Sequence, residues 1–279
     1  MNLIADTNVW YDIAAGRRIP AKLKSGGHTL HATPISFFEI VSLIDERNWE
    51  ERRSACQAVL DHADSILVDS ETHLASLCGQ STVNLKFDWS DGFKATAQAT
   101  SKTELESGVQ NFTEGLVRKV NIPFLAAWRG YQWKDFEQKI IGVVDQYVAG
   151  YKDARLKNRM KQANATERAD LAAIIQSADI QDGIYKTIFV RALLVGNQPN
   201  REPTPAELST VKKQLQPYAL AYLEYLARCA TFAPQSNDLG DHECFMYLQD
   251  DMRFLSSDKR WIDIAKTVCP HFYLDPENS

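Results

Sequence analysis

At both ends of this chain, short apolar runs alternate with segments of helical periodicity, and that alternation sets the fold class. Asn2–Ala5 (NLIA), His28–Thr33 (HTLHAT) and Ser65–Val68 (SILV) have strand length, and helical spacing follows each of them. NLIA stops at Asp6-Thr7-Asn8, side chains that cap helices and stabilise turns. Val9, Trp10, Ile13 and Ala14 then recur at helical intervals, and Gly16 closes the segment. Thr33 before Pro34 reads as an N-cap followed by a first-turn proline, opening an apolar helix through ISFFEIVSLI. Trp49–Ala63 is a further helix, and THLASLC follows Ser70-Glu71-Thr72. The alternation returns near the end. Asn237–Gln249 reads as a helix opened by Asn237 or Asp238, Arg253–Ser256 as a strand, Ile262–Val268 as a helix or turn, and His271–Leu274 as a last strand. Strands separated by helices imply a parallel sheet with right-handed crossovers and helices on both faces. In such sheets functional groups gather beyond the carboxyl ends of the strands.

The middle of the chain differs. Residues 86–232 show no period-2 strand; Ile122–Trp133, Asp135–Tyr151, Ala165–Ser177, Asp182–Val195 and Pro205–Ala230 are apolar at helical intervals. Thr204-Pro205-Ala206-Glu207 is a strong helix start, and polar residues 86–111 read as loop or mobile helix. The economical organisation is one α/β domain in two parts, 1–85 and 233–279, interrupted by an all-α insertion over 86–232. Charge follows the same division. Of 31 basic and 36 acidic residues, 20 and 16 fall in 86–232 (net +4), leaving 11 and 20 (net −9) in the flanks. The densest basic run, 151–161, carries Lys152, Arg155, Lys157, Arg159 and Lys161. It is either a solvated helix face or a surface that tracks phosphates by releasing counterions.

Composition excludes other classes. With 44% hydrophobic and 24% charged residues the 279-residue chain is neither disordered, collagen-like nor coiled-coil. Five scattered cysteines without a Cys-x-x-Cys argue against a disulfide framework or a zinc ribbon, and fit a reduced, cytoplasmic setting. No apolar run of about 18 residues is present, and MNLIADTNVW does not read as a signal peptide, so no membrane association is expected.

Four acids stand where folding alone would not require them. Asp6 ends the first strand, Glu39 interrupts the apolar FFEIV, Asp241 lies in a first helical turn, and Asp258 follows the strand RFLSS. Strand ends and the helix starts that follow share one edge of a parallel sheet, so all four can converge there. Each also has a structural reading: helix caps for Asp6 and Asp241, a turn residue for Asp258, a salt bridge for Glu39. Glu39 is the hardest to explain away, because an ionised carboxylate in apolar surroundings needs a cation or hydrogen-bond donors. Clustered acids repel unless positive charge intervenes. Mg²⁺ and Mn²⁺ suit a site of carboxylates and waters, where such ions activate water and neutralise charge on phosphoryl oxygens.

With these four acids in this order, the sequence resembles the PIN-domain nuclease family. ADTNVW at 5–10, ISFFEI at 35–40, NDLGDHECF at 237–245 and FLSSDKRW at 254–261 carry the likeness. It covers roughly 1–85 and 233–279 and departs from the family's compact form in the long helical middle. The resemblance implies a PIN-like three-layer α/β domain. It also implies a metal-dependent endonuclease acting on RNA, or on single-stranded DNA, and leaving 5′-phosphate and 3′-hydroxyl ends. Asp6, Glu39, Asp241 and Asp258 would be the catalytic, metal-binding acids for Mg²⁺ or Mn²⁺. Asn8 and Ser256 would orient carboxylates or waters, and Asp238 would be an additional acid or a helix cap. Many small members are toxins held by an antitoxin; others process RNA or act in defence, so an antitoxin or regulatory protein is the protein partner it suggests. The oligomeric state is left open.

Other motifs carry less. His28 and His31 point to opposite faces of a strand, an adjacent helical position turns His242 about 100° from Asp241, and Lys259 reads as a solvated turn residue. Gly26-Gly27 lacks a nucleotide-loop pattern, and Trp128, Tyr131 and Trp133 at helical spacing fit packing better than base stacking. Two competing functions are an inactive PIN-like scaffold for RNA or protein and a haloacid-dehalogenase-type phosphatase. The latter needs Asp-x-Asp, and Asn8 stands at its second acid.

Overall fold

The computed structural model describes residues 1–42, 44–80, 88–120, 176–196, 198, 201–228 and 238–273, with a few positions between 166 and 173. Its centre is a four-stranded, all-parallel sheet of order β3-β2-β1-β4: β1 Asn2–Ala5, β2 Thr29–Ala32, β3 Ser65–Ile66 and β4 Met252–Leu255. The expected α/β architecture with a parallel sheet is therefore present. The first strand lies between the second and the last, pairing Leu3 with Leu30 and Ala5 with Leu255.

Strand side chains alternate between two cores, as period 2 demands. Leu3, Ala5, Leu30, Ala32 and Leu255 face a core that includes Trp10, Phe37, Val59, Trp89 and Phe93. Helices α1 (Thr7–Ala14), α4 (Trp49–His62) and α6 (Ser90–Ala97) cover that side. Ile4 and Phe254 face the other core, built from α5 (Ser70–Leu77), α8 (Ala178–Val195), α10 (Gln216–Arg228) and α12 (Lys259–Val268). Helices α2 (Pro20–Ser25), α7 (Lys102–Val120), α9 (Pro205–Gln214) and α11 (Asp238–Glu243) complete the described set. Helix α3 (Pro34–Ile40) contributes to both cores, Ile35 to one and Phe37, Phe38 and Ile40 to the other. That dual burial explains why its sequence is apolar all round.

Local chemistry sets the element ends. Thr33 caps α3 through Ser36 N, with Pro34 next, as the sequence implies. The helix ends at Ile40 rather than running through ISFFEIVSLI, because Arg52 Nη1 reaches the carbonyls of Glu39 and Ile40. Thr204 and Glu207 form the full capping box of α9. The expected single helix 205–230 is two, broken at Leu215, with Pro217 in the first turn of the second, where its missing N–H does least harm. Of the segment 86–111, Ser90–Ala97 and the residues from Lys102 on are helical. Trp89 and Phe93 are buried, and with Phe112 they surround Phe37 at ring separations of 5.0–6.4 Å. Helix 237–249 shortens to α11 plus a 3₁₀ turn, Cys244–Tyr247. Among the described residues, the last expected strand, His271–Leu274, shows one bridge, Tyr273 to Phe254, after a 3₁₀ turn opened by Pro270. SILV yields a strand only at Ser65–Ile66 before Asp69 caps α5.

A buried ion cluster ties the helical middle to the sheet. Arg191 on α8 forks between Glu71 on α5 (2.6 Å) and Glu243 on α11 (3.0 Å), and Tyr218 on α10 donates to Glu243 at 2.9 Å. Among the described residues no helix is long and apolar enough to cross a membrane. Cys56, Cys78, Cys244 and Cys269 are free and buried. The basic run Lys152, Arg155, Lys157, Arg159 and Lys161, and the helices expected at Ile122–Trp133 and Asp135–Tyr151, lie outside the described residues.

Candidate metal centre

The carboxyl end of β1 sits between those of β2 and β4. Chain after β2 enters α3, and chain after β4 enters α12. Asp6 is the first residue past β1, and its N–H still bonds to Leu255 O at 2.9 Å. Pairing of Ala5 with Leu255 sets Asp6 beside Ser256, whose hydroxyl donates to Asp6 Oδ2 at 2.7 Å. The same hydroxyl accepts Asp258 N–H at 3.0 Å. Asp6 Oδ1 accepts from Thr7 N at 2.6 Å, so Asp6 does cap α1. Asn8 Nδ2 reaches Asp6 Oδ2 at 3.3 Å.

Glu39, in the last turn of α3, turns back to this point and accepts a hydrogen bond from Thr7 Oγ1. Asp241 enters from α11. Asp6, Glu39 and Asp241 each offer an oxygen, all within 4.8 Å of one another. Asp6 and Asp241 are each 1% exposed, while Glu39 keeps partial exposure. Helix α11 comes this close because residue 240 is glycine. A Cβ there would collide with Glu39 Oε1 and stand 3.2 Å from Ile35 Cγ2.

The cluster is short of positive charge. Glu39 Oε1 and Asp241 Oδ2 are buried oxygens with no hydrogen-bond partner. Burial, and then the charge of Asp6, push the Glu39 carboxyl up to about 8. Burial raises Asp6 despite its hydrogen bonds from Ser256 and Thr7, and raises Asp241 well above the carboxylate range, with Asp6 and Glu39 adding to it. Three acids that resist ionisation together are a site where a cation would replace shared protons. An all-oxygen donor set with two unpartnered buried oxygens fits a hard divalent ion such as Mg²⁺ or Mn²⁺.

Asp258 and Asp238 are not among the three acids whose oxygens lie within 4.8 Å of one another and are bound by other partners, although the charge of Asp258 bears on Asp241 and that of Asp238 on Glu39. Asp258 caps α12, and Arg260 engages both of its oxygens: N–H and Nε to Oδ1 at 2.8 and 3.3 Å, Nη2 to Oδ2 at 2.8 Å. Burial acts to raise its carboxyl, and the Arg260 hydrogen bonds outweigh that and hold it below the usual value. Asp238, 1% exposed, is held by Arg260 Nη1 at 3.0 Å and Tyr225 OH at 2.9 Å. The expectation that four acids share one pocket is thus met by three, and the helix-cap reading describes Asp258. His242 turns away, as its position implies. It stacks on Tyr218 at 4.1 Å, bonds Tyr218 O through Nε2, and burial pushes its pKa down to about 4.

Thr7, Gly240 and Arg260 are the site residues that sequence reasoning missed. Gly240 alone carried a signal, a glycine inside a helical pattern, which costs about 1 kcal/mol unless packing requires it. Against known protein families, curated proteins and solved structures, the chain finds no match.

Proposed function

We propose that this chain is a divalent-metal-dependent nuclease, built on a PIN-like three-layer domain, that hydrolyses RNA phosphodiester bonds. The observation that carries the reading is the meeting of Asp6, Glu39 and Asp241 beyond the carboxyl end of the central strand, with two of their buried oxygens unpartnered. The parallel sheet, and the order of these acids along it, support the PIN-like assignment.

Asp6, Glu39 and Asp241 would hold Mg²⁺ or Mn²⁺. A bound ion of this type supplies an activated water and neutralises charge that builds on phosphoryl oxygens. The chain's own groups fix the geometry. Ser256 and Thr7 N–H hold the two oxygens of Asp6, and Thr7 Oγ1 holds one oxygen of Glu39, leaving the other turned toward Gly240. Asn8 adds a weaker contact to Asp6. Donors of this kind orient ligating carboxylates and typically change metal affinity about 10–100-fold. Lys152, Arg155, Lys157, Arg159 and Lys161 supply polyanion affinity that the acidic flanks lack.

The test is Mn²⁺-dependent degradation of a panel of RNA and single-stranded DNA by wild type, Asp6→Asn and Glu39→Gln, with folding checked by circular dichroism. The reading expects RNA cleavage in the wild type and a loss of at least about 10³-fold in folded Asp6→Asn, the scale of a lost electrostatic group. Cleavage that survives Asp6→Asn, or hydrolysis of small phosphoesters with no nucleic acid cut, removes it.

A further inference from the structure

Among the described residues, Arg260 brings positive charge to this acidic edge by engaging two of its acids. Five carboxylates, Asp6, Glu39, Asp238, Asp241 and Asp258, lie along the carboxyl edge of β1 and β4. Two of them are occupied by a cation of the chain itself. Arg260 spans from Asp258 Oδ1 and Oδ2 to Asp238 Oδ1, and Tyr225 OH takes Asp238 Oδ2. Both oxygens of Asp258 and Oδ2 of Asp238 therefore already accept hydrogen bonds, and Asp238 Oδ1, which accepts none, is ion-paired with Arg260 Nη1 at 3.0 Å, whereas Glu39 Oε1 and Asp241 Oδ2 have neither a hydrogen bond nor a cation. A guanidinium presents its donors in a rigid planar fork that matches carboxylate and phosphate oxygens, and it keeps its charge at any working pH.

We propose that Arg260 occupies the place of a second metal ion: the edge takes one divalent cation on Asp6, Glu39 and Asp241, and the Arg260 guanidinium is the built-in second positive charge beside it. The inference rests on the cation-binding part of the function proposed above. A second ion at Asp238 and Asp258 would have to displace three hydrogen bonds from Arg260 to Asp258, the ion pair of Arg260 with Asp238 and the Tyr225 hydrogen bond to Asp238. The arrangement also accounts for the position of Arg260, two residues beyond Asp258. In the first turn of α12 its side chain runs back over the cap rather than outward, and it remains 26% exposed, at the edge a phosphate would approach. Its consequence is a single-ion site with a fixed cation, not an ion pair that forms only at high metal concentration.

Mn²⁺ stoichiometry, read by isothermal titration and by the electron paramagnetic resonance signal of free Mn²⁺, tests this without reference to cleavage. Wild type is expected to bind one Mn²⁺ per chain, Asp258→Asn also one with affinity within about threefold, and Arg260→Gln two, because Asp238 and Asp258 are released together. Asp6→Asn should bind none in this concentration range. Two ions in wild type, one ion in folded Arg260→Gln, or loss of the ion in Asp258→Asn each overturn the proposal. If Arg260→Gln does not fold, the Asp258→Asn and wild-type counts still decide it. No Mn²⁺ bound by wild type would instead remove the cation site itself. One ion bound with no nucleic acid cut would leave the Arg260 assignment standing and remove the nuclease reading.

Discussion

Replacing Glu39 by glutamine should flatten a pH dependence of stability whose sign is opposite to that of a salt-bridged carboxylate. Folding raises the Glu39 carboxyl from 4.5 to about 8, through burial and then the charge of Asp6. Between those values the folded chain holds a proton that the unfolded chain has released. Stability therefore falls as pH rises through the window, by about 1.4 kcal/mol per pH unit and to a ceiling of about 5 kcal/mol. Below pH 4.5 both states are protonated and the penalty vanishes. Asp6 and Asp241 are raised as well and add to the same slope. Glutamine keeps an acceptor for Thr7 Oγ1 and removes the titrating group. Urea denaturation in the presence of EDTA at pH 5, 6, 7 and 8, followed by tryptophan fluorescence, measures the effect. Wild type should lose stability toward pH 8, and Glu39→Gln should lose less, by about 1 kcal/mol per pH unit. A wild-type profile that is flat or rises with pH, or a variant with the full wild-type slope, refutes the reasoning. Mn²⁺ at about 100 times its Kd should restore about 2.7 kcal/mol to wild type, most of all at high pH, and nothing to the variant if Glu39 is a ligand.

Three further outcomes follow from the same geometry. Gly240→Ala places a Cβ against Glu39 Oε1; it should cost about 1–3 kcal/mol in denaturation and weaken Mn²⁺ binding by at least tenfold in titration calorimetry. Ser256→Ala removes the donor to Asp6 Oδ2 and the acceptor of Asp258 N–H, and should lower Mn²⁺ affinity about 10–100-fold with a stability loss of about 1–3 kcal/mol. Arg191→Met strands Glu71 and Glu243 and should cost about 3–5 kcal/mol in urea denaturation, while the folded fraction retains wild-type Mn²⁺ affinity.

The sheet was legible in the sequence because each strand is short and each is followed by cap chemistry that only a turn into a helix explains. Asp6-Thr7-Asn8 and Thr33-Pro34 mark two of the three crossings near the site, and both caps form as read. Asp6, Glu39 and Asp241 stood out because each is a charge that packing alone does not require. Asp258 stood out for the same reason, yet no one-dimensional pattern shows that Arg260, two residues on, folds back and satisfies it. Thr7 was hidden by its ordinary role beside a cap, since its hydroxyl bonds a residue 32 positions away. Helices α6 and α7 stay open between loop and helix in the sequence because polar residues dominate 86–111, whereas their buried side chains, among them Phe93, Ala97 and Leu105, are too few to set a clear period. Long-range satisfaction of polar groups is a property of the assembled edge, and periodicity does not encode it.

The central claim is that three carboxylates from three separate elements form one cation site. Anomalous diffraction at the manganese edge, from crystals grown with Mn²⁺, reads it directly. A single peak bonded to oxygens of Asp6, Glu39 and Asp241 is expected, with Arg260 still on Asp238 and Asp258. Peaks elsewhere with that cluster empty, or the three side chains turned to lysine or arginine partners, would contradict it.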